Sequence, residues 1–172
     1  MTAGVGRYPQ GVPTPPFILE LRASYGSGLL LLPGVCAVLV RDDLEPGRPH
    51  VLLVRRSDTG EWTLPAGIVE PGEQPAVTLV RELLEETCVV AQADRLVWLV
   101  ADPPLTYPNG DHCQYLTSVF RCSYVSGEAR VGDDESTAVG WFPVDALPKL
   151  SERNRERLAH GLSEQERCAF EA

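Results

Sequence analysis

The sequence predicts an α/β fold: a central mixed β-sheet with helices packed on it. Short β-branched or apolar runs occur both before and after one central segment of helical period. Some of these runs are spaced as hairpin neighbours and others are parted by the helix, so strand directions should mix. With 172 residues, 44% apolar and 23% charged, the chain has the length for one core and an ordinary globular composition.

Residues 1–16 are rich in glycine and proline and lack periodicity, so they are expected to form a flexible leader to a single domain over 17–172. FILELRASYG (17–26) predicts a short helix. The run LLLLPGVCAVLV (29–40) is too short to span a bilayer and is punctuated by Pro33-Gly34. It should be a loop entering a buried strand at 35–40. VLLVRR (51–56) follows as a strand, and WTLPAGIVE (62–70) as an extended segment kinked at Pro-Ala-Gly.

From Pro75 the period becomes helical, because proline suits a first helical turn and Val77, Val80, Leu84 and Thr87 recur on one face. RLVWLV (95–100), QYLTSVFRCSYV (114–125) and TAVGWFPV (137–144) predict strands, separated by the polar loops 102–111 and 127–136. SERNRERLAHGL predicts a charged, solvated C-terminal helix.

The formal net charge of −9 argues against broad contact with a nucleic-acid backbone. Five cysteines without a CxxC pair argue against a zinc cluster or disulfide framework and point to a reducing, cytoplasmic compartment. No signal peptide or membrane segment is visible.

RELLEETCVV (81–90) crowds Glu82, Glu85 and Glu86 onto one helix. At about 100° per residue the three share an arc of roughly 100°, and Arg81 can pair with Glu85 at i,i+4. If Val77, Val80 and Leu84 are the buried face, this acidic stripe is exposed or lines a cleft. Acidic helix faces are common, so these residues alone favour a solvated surface. The acids also sit near the helix C-terminus, where the dipole disfavours them, and a hard divalent cation would turn their repulsion into coordination.

Upstream spacing changes that balance. Gly67, Glu73, Arg81, Glu82, Leu83, Glu85, Glu86, Cys88 and Val89 read G-x5-E-x7-R-E-L-x-E-E-x-C-V. The pattern resembles the Nudix box, differing from it only where Cys88 replaces the final glycine. LLVRRSDTGEWTLPAG resembles the strand-loop-strand that leads into the box, with Ala66 in place of a glycine, and WFPVDALP resembles the stretch near the family's last helix.

The resemblance implies an α/β/α sandwich, a bound Mg²⁺ or Mn²⁺, and hydrolysis of a nucleoside diphosphate linked to another group. It places Glu82, Glu85, Glu86 and the Gly67 carbonyl on the metal, Glu73 in the box loop or outer shell, and Arg81 beside a glutamate. Either Glu82 or Glu135 would be the general base; for Glu135, one of three acids in its loop, a solvated surface is equally expected.

In the family, a proline about fifteen residues past the box accompanies ADP-ribose pyrophosphatases, and Pro104 is at that position. A tyrosine slightly further on, here Tyr107, accompanies dinucleoside polyphosphate hydrolases, so the two markers do not discriminate. Trp62 or Tyr107 could stack on a base and Arg55 or Arg56 meet phosphate, although each has an ordinary structural explanation. ADP-ribose-like sugars lead the expected substrates, ahead of oxidised nucleoside triphosphates and dinucleoside polyphosphates. A nucleotide-binding regulatory module is the alternative of another class. The family's frequent dimers keep a homodimer open.

Overall fold

A computed structural model describes residues 14–107 and 110–171. The elements run α1 (Pro16–Tyr25), β1 (Leu30–Arg41), β2 (His50–Arg56), β3 (Trp62–Thr63), β4 (Ala66–Ile68) and α2 (Pro75–Thr87). They continue with β5 (Val89–Ala101), β6 (Leu105–Thr106), β7 (His112–Gly127), β8 (Ser136–Pro143), α3 (Glu152–Leu162) and β9 (Ala169–Phe170). The leader expected over 1–16 falls mostly outside the described residues; Pro16 opens α1.

One mixed sheet carries the order β3-β2-β1-β7-β5-β9, with β4 on β1, β6 on β7 and β8 on β2. β1 and β7 run parallel through eleven paired positions, from Leu30↔Cys113 to Val40↔Ser123, while β5 and β7 are antiparallel. Three register shifts interrupt the β5–β7 pair, as expected where two long strands must twist.

Alternation along β1 divides the core. Val35, Ala37 and Leu39 face Leu79 and Leu83 of α2, whereas Cys36, Val38 and Val40 share a second cluster with Leu158 of α3. The result is the α/β/α sandwich predicted. A smaller cluster of Ile18, Leu30, Leu32 and Cys113 seats α1 on one end of the sheet. Among the described residues no helix is long and apolar enough to cross a membrane. Cys36, Cys88, Cys122 and Cys168 are free thiols.

Two sequence expectations need correction. Pro33-Gly34 does not break the first strand; β1 passes through both, because β7 pairs along its other side. Nor is the buried face of α2 the one carrying Val77 and Leu84, which are 59% and 49% exposed. Leu79, Leu83 and Glu86, within an arc of roughly 60°, are turned to the sheet instead. Hydrophobic period alone could not separate two apolar stripes on one helix, and packing chose the leucines. That choice places Glu86 on the inner face.

Candidate active site

The orientation of α2 grades its three glutamates. Measured from Leu79, Glu86 lies at roughly −20°, Glu82 at −60° and Glu85 at −120°. Their exposure follows: Glu86 is 4% exposed, and the side chains of Glu82 and Glu85 are 16% and 54% exposed. A sequence-even stripe thus becomes one buried, one half-buried and one solvated carboxylate.

β4 closes over the inner two. It is held on β1 by the pairs Gly34↔Ile68, Val35↔Gly67 and Cys36↔Ala66. From there the Ala66 backbone faces the Glu86 carboxylate and favours its ionised form. Gly67 lies so near Glu82 that a β-carbon on residue 67 would stand 2.3 Å from Glu82 Cδ.

The loop after β7 covers the other side. It satisfies carbonyls that the end of α2 leaves free: Arg130 N–H donates to Thr87 O at 3.1 Å and Gly132 N–H to Glu86 O at 3.0 Å. A β-carbon at Gly132 would sit 2.0 Å from Glu85 O, so the loop lies directly on the helix end. The loop then tightens as Glu135 N–H donates to Asp133 Oδ1 at 2.9 Å, and Ser57 N–H anchors it by donating to Glu135 O at 2.8 Å. Glu135 and Glu86 consequently line one cleft, floored by Val54, Leu64 and Ala66 and bordered by Arg56 and Arg157.

The carboxyls in this cluster are hard to ionise. Burial, then repulsion from Glu82, Glu135 and Asp133, holds Glu86 well above the ordinary carboxyl range. Burial pushes Glu82 up to about 7 against the opposing pull of Arg81. Burial likewise raises Glu135 and Asp133.

The outer side of α2 behaves oppositely. Glu73 accepts from Arg81 Nε and Nη2, both at 3.0 Å, and from Thr78 Oγ1 at 2.8 Å. Those partners lower it to about 2. Arg81 Nη1 also reaches Glu82 at 3.2 Å and Glu85 at 3.0 Å, so one guanidinium serves three glutamates.

Oxygen-only donors crowded together in a buried cluster suit a hard divalent ion. Among the described residues no three acidic, histidine or cysteine side chains already surround one point. Coordination would therefore draw Glu82 and Glu85 off Arg81.

The remaining residues singled out in the sequence are placed as follows. Arg56 borders the cleft, clamped by Asp58 at 2.8 and 2.6 Å. Arg55 turns back to the Gly60 carbonyl at 2.9 Å. Trp62 packs edge-on to Phe142, with ring centroids 4.8 Å apart. Pro104 is exposed on the loop after β5. The Tyr107 hydroxyl meets that of Tyr115 at 2.9 Å beside the α1 cluster. None of these last four is in the cleft lining. Asp133, Arg157 and Asp102 carry no sequence signal; a helix that reads as solvated gives no sign that Arg157 turns inward.

The family model for the NUDIX domain matches residues 30–161. The chain belongs to the Nudix family. This Nudix chain is 37% identical over 122 residues to a MutT-like protein of Streptomyces ambofaciens, covering 71% of this chain and 68% of that one. Over 104 residues it is 33% identical to an ADP-ribose pyrophosphatase of Methanocaldococcus jannaschii, covering 59% of each. A UDP-X diphosphatase crystal structure matches with a TM-score of 0.63 and 25% identity, over 90% of this chain and 73% of that one. The Nudix chain is accordingly a pyrophosphohydrolase, a hydrolase acting on acid anhydrides.

Proposed function

We propose that this Nudix hydrolase cleaves the pyrophosphate bond of a nucleoside diphosphate linked to a second moiety, with ADP-ribose-like sugars first among the substrates. One observation carries this reading: a single cleft is lined both by carboxylates, Glu86 and Glu135, and by arginines, Arg56 and Arg157. A diphosphate needs both, a cation held by carboxylates and donors for the remaining oxygens. The relatives named for ADP-ribose and UDP-X support the substrate class.

Glu82, Glu85 and Glu86, with the Gly67 carbonyl, would hold Mg²⁺ or Mn²⁺. When bound, the ion polarises the P–O bond and lowers the pKa of the attacking water. Arg81 and Glu73 fix the outer side of the helix, so that Glu82 keeps its place beneath β4. Glu135, which lines the cleft with Glu86 and is raised by burial, is our choice over Glu82 as the general base, because Glu82 is committed to the ion.

The experiment is a substrate panel with Mg²⁺, its products resolved by chromatography: ADP-ribose, UDP- and ADP-sugars, a diadenosine polyphosphate and deoxynucleoside triphosphates. AMP and ribose 5-phosphate from ADP-ribose is the expected result. Preferential release of pyrophosphate from a triphosphate would replace the reading with nucleotide sanitation. No turnover of any compound would leave the binding-module alternative.

A further inference from the structure

One charged group of the cleft comes from the C-terminal helix. Arg157 projects from α3, on the opposite layer of the sandwich from the glutamates, yet it lines the same cleft as Glu86 and Glu135. Its Nη2 donates to Asp102 Oδ2 at 2.6 Å, with both side chains largely buried. Its Nε is buried with no hydrogen-bond partner.

Asp102 is itself held firmly. Thr117 Oγ1 donates to Oδ2 at 2.5 Å, the Asp102 backbone N–H donates to Tyr115 O at 2.8 Å, and Arg153 Nε lies 3.4 Å from Oδ1. Arg153 is fixed in turn over the Trp98 ring at 5.2 Å.

Stability does not account for this arrangement. A buried ion pair roughly breaks even against apolar residues of the same volume, and an unpartnered Nε adds a desolvation cost. What the pair provides is a guanidinium fixed in place before any ligand arrives. Arg56, the other cation at the border, already has two of its nitrogens engaged by Asp58. The rest of the lining offers only the neutral hydroxyls of Ser57, Thr63 and Ser136 as side-chain donors.

We propose that Arg157, held by Asp102, is a substrate-positioning residue that binds a phosphate oxygen of the diphosphate. This rests on the diphosphate reading given above. The loop after β5 then contributes to the site through its first residue, Asp102, rather than through Pro104 or Tyr107. Guanidinium geometry matters here, because a planar fork can keep Asp102 and phosphate at once where a lysine ammonium cannot do so equally well.

The test compares the parent with Arg157→Gln, Arg157→Lys and the double variant Asp102→Asn/Arg157→Gln, which removes both buried charges together. Each is titrated calorimetrically with ADP in Mg²⁺, assayed with ADP-ribose and melted. Loss of a charge-assisted contact should weaken ADP binding about tenfold or more in Arg157→Gln and in the double variant. Arg157→Lys should recover part of it. KM for ADP-ribose should rise by more than kcat falls, and the double variant should melt close to the parent.

Unchanged ADP affinity in a double variant that melts normally would overturn the proposal, as would a parent that does not bind ADP. A fall in kcat at constant KM would do the same. If the parent binds ADP but does not turn over ADP-ribose, the substrate reading fails while the titration still decides the role of Arg157.

Discussion

Gly67 and Glu82 occupy space that a single methyl group would contest: a β-carbon on residue 67 would lie 2.3 to 2.4 Å from Cδ, Cγ and Oε1 of Glu82. The obstructed atoms are the far end of a flexible side chain, so Gly67→Ala should fold and push the carboxylate aside. We expect melting within a few degrees of the parent but Mg²⁺ affinity reduced about tenfold or more, comparable to mispositioning a metal ligand. Calorimetric Mg²⁺ titration checks this. Parent-like affinity would mean that Glu82 is free to ligate from another rotamer.

Gly132→Ala faces a harder obstacle, since its β-carbon would meet the Glu85 carbonyl, a backbone atom, at 2.0 Å. The loop must lift from the end of α2, breaking the Gly132–Glu86 backbone bond and displacing Glu135. We expect a loss of about 1–3 kcal/mol in urea unfolding, the range for an overpacked site, together with a large fall in kcat. An unaltered unfolding midpoint would show that the loop can reseat.

Cys88 ends α2 in the left-handed region, with φ 58° and ψ 19°, and it is the one non-glycine residue with positive φ among those described. That backbone costs a side chain roughly 1–2 kcal/mol. Glycine would recover it but loses about 0.4–1 kcal/mol through its freer unfolded chain. Cys88→Gly should therefore gain about 1 kcal/mol while turnover stays within a few-fold. Lower stability would show that the cysteine side chain contributes packing that outweighs the strain.

Metal-free stability should vary unusually with pH. Between 4.5 and about 7 the Glu82 carboxyl is ionised in the unfolded chain but still protonated in the folded one. The native state then binds more protons, and stability falls as pH rises, by up to about 3 kcal/mol from this group. Glu86, Glu135 and Asp133 act in the same direction.

Glu73, lowered to about 2 from 4.5, acts oppositely, its contribution being lost as pH falls through that interval. In chelator the unfolding free energy should therefore peak near pH 4.5 and decline towards pH 8, with added Mg²⁺ restoring stability at the alkaline end. A chelated protein most stable at neutral pH would contradict the crowding of these carboxyls.

The elements were largely legible in sequence because their signals are local. Pro75 began α2 where proline belongs, and the β-branched runs became β1, β2, β5, β7 and β8. Two-residue β6 and β9 left no pattern, since so short a strand exists only through its partner. The buried face of α2 is not legible in sequence because Val77 and Leu84 are as apolar as Leu79 and Leu83; only the sheet could choose between the pairs.

For the site, the spacing of Gly67, Glu73, Arg81, Glu82, Glu85 and Glu86 determined the family and the acidic helix, because a helix fixes which residues i, i+3 and i+4 are neighbours. Tertiary structure alone decided that Glu86 is buried while Glu85 is solvated, that Glu135 returns across the helix end, and that Arg157 enters from the opposite layer. Burial and long-range approach depend on which surfaces meet, and no local spacing encodes that.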